Sequence, residues 1–229
     1  MSEKSSHLSR KTALGFLELI FILGVCLFVP VWSFHYWQAW VFLFIFVALS
    51  ALITVYLWKK DPKLLERRLN AGPVAEKEKS QRLIQLFASI AFIAEILLPS
   101  LDRRFAWSEV PLTLVIAGEG FVALGFLMMF IVFKENPFTG ATIDVAAGQK
   151  VISTGPYAVV RHPLYSGALV MLLGTPLALG SGWALLMFAP MTIVIVWRLL
   201  EEEKFLSANL QGYTEYCQKV RSRLIPFVW

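Results

Sequence analysis

Long apolar blocks, rather than alternating apolar and polar positions, organise this chain. Residues 13–32 and 36–58 have only Glu18 and His35 in or beside them as titratable groups. Residues 83–100 contain only Glu95, and residues 110–133 only Glu119. Each block is near the roughly 20 residues that a helix needs to cross about 30 Å of hydrocarbon. The pattern predicts four transmembrane helices. Lys4, Arg10 and Lys11 precede the first block as they would a cleaved leader. Its apolar run is longer than the roughly 7–15 residues of a leader core, and Val29-Pro30-Val31-Trp32 offers no small-residue cleavage site. It is read as a retained span.

A last apolar block, 164–199, is too long for one ordinary span. Gly174-Thr175-Pro176 and Gly180-Ser181-Gly182 interrupt it, and such clusters punctuate helices. A helical hairpin, about 164–179 and 183–199, is expected. Between the second and third blocks, Asp61-Pro62 reads as an N-cap and first helical position, and Asn70-Ala71-Gly72-Pro73 as a stop. That places a short interfacial helix and a charged linker in 59–82. After the hairpin, Leu206, Leu210, Tyr213, Cys217 and Val220 recur at helical spacing, broken by Gly212. An amphipathic tail lying on the membrane face or on the preceding loop fits that spacing.

Composition agrees, with 57% hydrophobic and only 16% charged residues among 229. The net charge of +5 is a topology signal and carries no nucleic-acid reading. Lys and Arg number three before residue 12, eight in 59–82, two in 101–109, three in 134–163 and five from 198 onward. A cytoplasmic N-terminus puts 19 of the 21 on one side and leaves only Arg103 and Arg104 outside. The hairpin also returns Arg198 and the basic tail to the cytoplasm. Cys26 and Cys217 fall in different compartments of this topology, so neither a disulfide nor a metal site is expected.

Two polar clusters interrupt the apolar pattern. Arg161-His162-Pro163 opens the hairpin, with proline suited to a first helical turn. The open N–H groups of a helix start suit anionic ligand groups, and Tyr157 and Tyr165 flank this mouth with rings. Arg198 and Glu202 lie four apart at the far end, on one helix face. The hairpin brings both clusters to the same membrane face, bordering an apolar chamber. The bland alternative is an arginine at the headgroups, a histidine cap and a solvated acidic turn. Of the acids within spans, Glu18 is expected to reach the interface, and Glu95 and Glu119 to hydrogen-bond between helices, with Gly118 and Gly120 allowing close approach.

From about Asn136 to Trp229 the chain resembles the isoprenylcysteine carboxyl methyltransferase family, and more loosely the phospholipid N-methyltransferases. The resemblance runs through Gly155-Pro156-Tyr157, Arg161-His162-Pro163-Leu164-Tyr165-Ser166-Gly167, Arg198, Glu202-Glu203 and Gly212-Tyr213, with Tyr216, Val220 and Pro226. It implies an all-α integral membrane enzyme in which the four transmembrane helices that the apolar pattern predicts in 1–133 are followed by a catalytic region, 134–229, of cofactor-binding loop, hairpin and cytoplasmic amphipathic tail. S-adenosylmethionine is the implied methyl donor. Its implied contacts are Gln149, Lys150, Val151, Ile152, Tyr157, His162, Pro163, Leu164, Tyr165 and Glu202, with Thr142 a weaker candidate. Arg198 is implied to hold a substrate carboxylate, which its planar fork suits. The implied acceptor is a lipid or lipidated small molecule, a prenylcysteine-like or other amphiphilic carboxylate. An aminophospholipid acceptor is the alternative, and needs a proton acceptor among Glu202, Glu203 and His162. A NADPH-dependent sterol-reductase-like enzyme and a non-catalytic membrane scaffold are the remaining rivals.

Overall fold

The structure, a computed structural model, describes residues 3–229, with side chains from residue 7 onward. Eight α-helices are described: α1 Glu3–Phe28, α2 Trp37–Lys60, α3 Pro62–Leu69, α4 Lys79–Phe105, α5 Leu112–Glu135, α6 Pro163–Ala178, α7 Phe188–Asn209 and α8 Tyr213–Lys219. Short 3₁₀ turns at Pro73–Ala75, Gly155–Ala158 and Trp183–Met187 join some of them. No strand occurs among the described residues.

Five segments are long and apolar enough to cross a membrane: His7–Phe28, Trp37–Lys60, Lys79–Phe105, Leu112–Glu135 and Trp183–Asn209. The expectation of four spans and a hairpin becomes five long helices and the 16-residue α6, which at about 24 Å is short for a bilayer. α3 begins as anticipated: the Asp61 side chain accepts the Leu64 N–H at 3.0 Å, and Pro62 opens the helix. Gly72, at φ 91°, follows its end with a backbone conformation that side-chain-bearing residues rarely adopt.

One expectation about the last third is corrected. Gly174-Thr175-Pro176 does not interrupt α6, which continues to Ala178 and breaks only at 179–182. Gly174 serves contact instead: a Cβ there meets Gly118 O at 2.6 Å. The arms of the hairpin do not pack mainly on each other. α6 lies along α5, and α7 packs against α4. The α5–α6 seam uses Gly118 and Gly125 on one helix, Gly167 and Gly174 on the other, each pair seven residues apart. Backbone meets backbone at these four positions, the close approach that small residues permit between membrane helices. Gly120 has nothing near it and takes no part. The tail is two helices separated at Gly212. α7 runs to Asn209, Gly212 breaks the chain at φ 83°, and α8 buries Tyr213 and Tyr216. Residues beyond 220 lie back as irregular chain on the start of α6.

Of the acids within spans, Glu95 and Glu119 differ from expectation. Glu18 is exposed on the helix surface. Glu95 is wholly buried and Glu119 nearly so, yet all four of their carboxylate oxygens lack a hydrogen-bond partner among the described residues. Backbone groups of the neighbouring helices are already engaged in their own ladders, which leaves these acids no inter-helix donor.

At one end of the bundle, Asp102 on α4 accepts the Ser108 N–H at 2.8 Å, the Ser108 hydroxyl at 2.6 Å and the Ser181 hydroxyl. The Gly182 N–H in turn donates to Ser108 Oγ at 3.0 Å, and Tyr36 Oη donates to Leu179 O at 2.6 Å. These bonds pin the 179–182 turn and so set how α6 and α7 diverge toward the opposite face.

Candidate active site

At that opposite face, the start of α6 meets the end of α7. His162 is the residue before α6, its imidazole makes no cap, and Pro163 supplies no N–H. The first helical bond runs from Ser166 N to His162 O, so Leu164 and Tyr165 keep their N–H groups without partners among the described residues. The two N–H groups upstream are taken: Arg161 N donates to Ser222 O and His162 N to Arg223 O, each at 2.9 Å. Ser166 Oγ adds a bond to Leu224 O at 2.7 Å. The tail is thereby stitched to the helix mouth.

Tyr165 links the two clusters. Its hydroxyl donates to Glu202 Oε2 at 2.7 Å and accepts from Arg198 Nε at 3.1 Å. Arg198 is buried, and its fork is largely engaged. Nη1 donates to Gln81 Oε1 at 3.1 Å, while Nη2 donates to Glu76 Oε1 at 2.7 Å and to Ala141 O at 2.9 Å. One of its five N–H bonds, on Nη1, remains without a partner among the described residues. A bidentate grip on a second carboxylate is closed in this arrangement, because both hydrogens of Nη2 are in use.

Adjacent acids on α7 part company. Glu202 faces Tyr165 and keeps Oε1 without a hydrogen-bond donor among the described residues. Glu203 turns to the tail, where Arg223 Nε approaches at 3.0 Å and His162 Nε2 at 3.2 Å. Arg161 Nε lies 3.2 Å from the same carboxylate but is not aligned for a hydrogen bond. Glu203 therefore secures the tail and orients His162, whose ring lies 5.7 Å from that of Tyr165.

A cleft between the 136–152 loop, the start of α6, the end of α7 and α8 holds about 840 Å³ of space counted out to its open mouth. Gln149, Lys150, Val151, Ile152, Tyr157, His162, Pro163, Leu164, Tyr165, Arg198, Glu202 and Thr142 all line it. The 150–152 backbone makes no hydrogen bond among the described residues, leaving its N–H and C=O groups available. Gln149 is partly engaged, its Oε1 accepting the Ala146 N–H at 2.9 Å to close its own turn. Tyr157 is fixed by Asn136 Nδ2, which donates to its hydroxyl at 2.9 Å, and by Tyr216, whose hydroxyl donates to its carbonyl at 2.8 Å. Burial raises the Tyr157 phenol above its ordinary range, against the pull of its hydrogen bonds from Thr139 and Asn136. Burial likewise raises Tyr213 and Tyr216, so this aromatic wall stays neutral.

Sequence reasoning missed Glu76 and Gln81, both buried and both on Arg198. Nothing in the charged 59–82 segment distinguishes Glu76 from Glu66 or Glu78. It also missed that α3 joins the cleft loop, through Arg67 to Asp144 at 2.9 Å and Arg68 to Gly140 O at 3.1 Å.

Comparison with known proteins adds an independent line. Residues 113–211 match the phospholipid methyltransferase family. Protein-S-isoprenylcysteine O-methyltransferase B of Arabidopsis thaliana is 32% identical over 158 residues, covering 66% of this chain and 75% of that protein. A probable protein-S-isoprenylcysteine O-methyltransferase of Oryza sativa subsp. indica is 32% identical over 158 residues, 66% of this chain and 78% of its own. The Delta(14)-sterol reductase TM7SF2 of Mus musculus is also 32% identical, but over 105 residues, 42% of this chain and 25% of that protein.

Proposed function

The chain belongs to the protein-S-isoprenylcysteine O-methyltransferase family and is a multi-pass membrane methyltransferase; on that premise we propose that its cleft methylates the carboxylate of a lipophilic, prenylcysteine-like acceptor at the cytoplasmic face. The observation that carries this reading is the Tyr165 bridge, which holds Glu202 and Arg198 on opposite sides of one hydroxyl. One carboxylate and one guanidinium, at the end of apolar helices, suit a charged donor and an amphiphilic acid. Nineteen of 21 basic residues on the side of the cleft support the cytoplasmic orientation.

The residues fit S-adenosylmethionine by the chemistry of their open groups. The open N–H groups of Leu164 and Tyr165 suit its carboxylate. The open backbone of 150–152 suits the edge of an adenine, and Tyr157 and Tyr165 offer rings beside it. Glu202 Oε1 suits either the ammonium group or the ribose hydroxyls. When bound, the donor supplies an electrophilic methyl group. Methyl transfer to a carboxylate forms one O–C bond as one S–C bond breaks, and the acceptor is already ionised at neutral pH, so no side chain has to take a proton. Arg198 neutralises and aims the acceptor carboxylate with the Nη1 N–H left open to it. His162, buried by the stitched tail, helps close the cleft to water, and alignment supplies the rate.

The test is titration of purified protein in detergent with S-adenosylmethionine, S-adenosylhomocysteine and NADPH. Labelled methyl transfer to a prenylated cysteine carboxylate and to an aminophospholipid is followed in parallel. The proposal expects the first two ligands to bind, NADPH not to bind, and label to appear on the carboxylate as a base-labile ester. Label on the amine alone overturns the acceptor assignment, and binding of NADPH alone overturns the reaction class.

A further inference from the structure

Behind the cleft, one carboxylate meets the acceptor-facing arginine from a segment remote in sequence. We infer that Glu76 is a positioning residue for methyl transfer: it fixes the plane of the Arg198 guanidinium and ties that plane to the loop lining the cleft. The inference rests on the assignment of Arg198 to the acceptor. Glu76 is 2% exposed, in the turn before α4. Its Oε1 accepts from Arg198 Nη2 at 2.7 Å, and its Oε2 from the Ile143 N–H at 3.4 Å. Its backbone carbonyl accepts Arg82 Nε at 2.7 Å, which holds the turn itself.

Four acceptors, from α6, the start of α4, the turn before it and the cleft loop, surround one guanidinium: Tyr165, Gln81, Glu76 and Ala141. An arginine left alone would sample many rotamers, and this cage selects one. What remains is a single Nη1 N–H, so the direction of the acceptor contact is set by groups that never touch the acceptor. A rival role has Glu76 holding the place of the acceptor carboxylate and leaving when it arrives. Burial argues against it, because departure strands a carboxylate at 2% exposure without its cation.

The two roles predict opposite signs. In full-length protein, Glu76→Gln is expected to raise the KM for a prenylated cysteine carboxylate about tenfold, while S-adenosylhomocysteine affinity stays within about twofold. Glu76→Asp, which keeps the charge on a shorter stem, is expected to fall between. Unchanged or lowered acceptor KM in Glu76→Gln that binds S-adenosylhomocysteine normally overturns the inference. If Glu76→Gln does not fold, Glu76→Asp decides, and wild-type acceptor kinetics there overturn it. Arg198→Lys is measured alongside. Acceptor kinetics unmoved by Arg198→Lys remove the Arg198 assignment and the inference with it. A loss in Arg198→Lys without one in Glu76→Gln removes the positioning role alone.

Discussion

The two ends of the helix bundle carry polar clusters of similar size and opposite character. At the end that holds the 179–182 turn, the Asp102 carboxylate accepts three donors, and the Ser108 and Ser181 hydroxyls also accept the Gly182 and Ala184 N–H groups. At the end that carries the cleft, Tyr165, Arg198 and Glu202 are just as well connected, yet Glu202 Oε1, one Arg198 N–H, the Leu164 and Tyr165 N–H groups and the 150–152 backbone stay open. Buried polar groups are costly without partners. An end whose polar groups bond chiefly to one another is a structural joint, with Gln38 Oε1 alone left unpartnered beside the turn among the described residues, whereas one that concentrates open groups around a cleft is arranged to receive something. Glu202 and Glu203 repeat the contrast one residue apart: Glu203 is taken up by Arg161, His162 and Arg223 of the helix mouth and tail, and Glu202 is half free.

The largest effect should come from the seam both ends depend on. Gly174→Leu places a side chain where a Cβ already meets Gly118 O at 2.6 Å, and we expect no folded, donor-binding protein by size-exclusion and ligand titration. Next, Arg198→Ala removes the proposed acceptor contact and leaves Glu76 buried without its cation. A fall in kcat/KM of at least about 100-fold is expected, with a lowered melting temperature from breaking a buried pair. Glu202→Gln keeps the Tyr165 bridge in shape but removes the charge. Donor affinity should fall about tenfold by calorimetry while the acceptor KM changes little. The smallest functional effect belongs to the Asp102 end. Asp102→Ala should lower the melting temperature by roughly 2–4 °C for each kcal/mol lost and leave turnover per folded molecule unchanged. A turnover defect in Asp102→Ala, at full donor occupancy, would erase the distinction between the two ends.

Much of the bundle was legible as pattern. The four early spans lie within a few residues of the helices, except that α1 begins before its apolar block and ends earlier, at Phe28. Val29-Pro30 accounts for the end, since proline and the residue before it both resist helix. α4 runs past its apolar block to Phe105, because Asp102 is satisfied within the fold and the chain need not leave the helix there. The Asp61 cap, the Pro163 start and the shared face of Arg198 and Glu202 were local in origin and were read correctly. The partner of α6 was not legible. Gly174 reads as a breaker in one dimension and is a contact surface in three.

By itself, then, the sequence determined what is local or additive: apolar length, caps, the sidedness of charge, and the two clusters that a turn brings to one face. Each follows from helix geometry or from a sum over residues, neither of which needs a neighbour. Only the tertiary structure decided that α6 pairs with α5, that the tail is stitched to Arg161 and His162, that Glu203 is an anchor while Glu202 faces the cleft, and that Glu76 stands behind Arg198. Those outcomes depend on which donors and acceptors from distant segments meet. A buried charge takes the partner that packing delivers, and sequence separation places no limit on that choice.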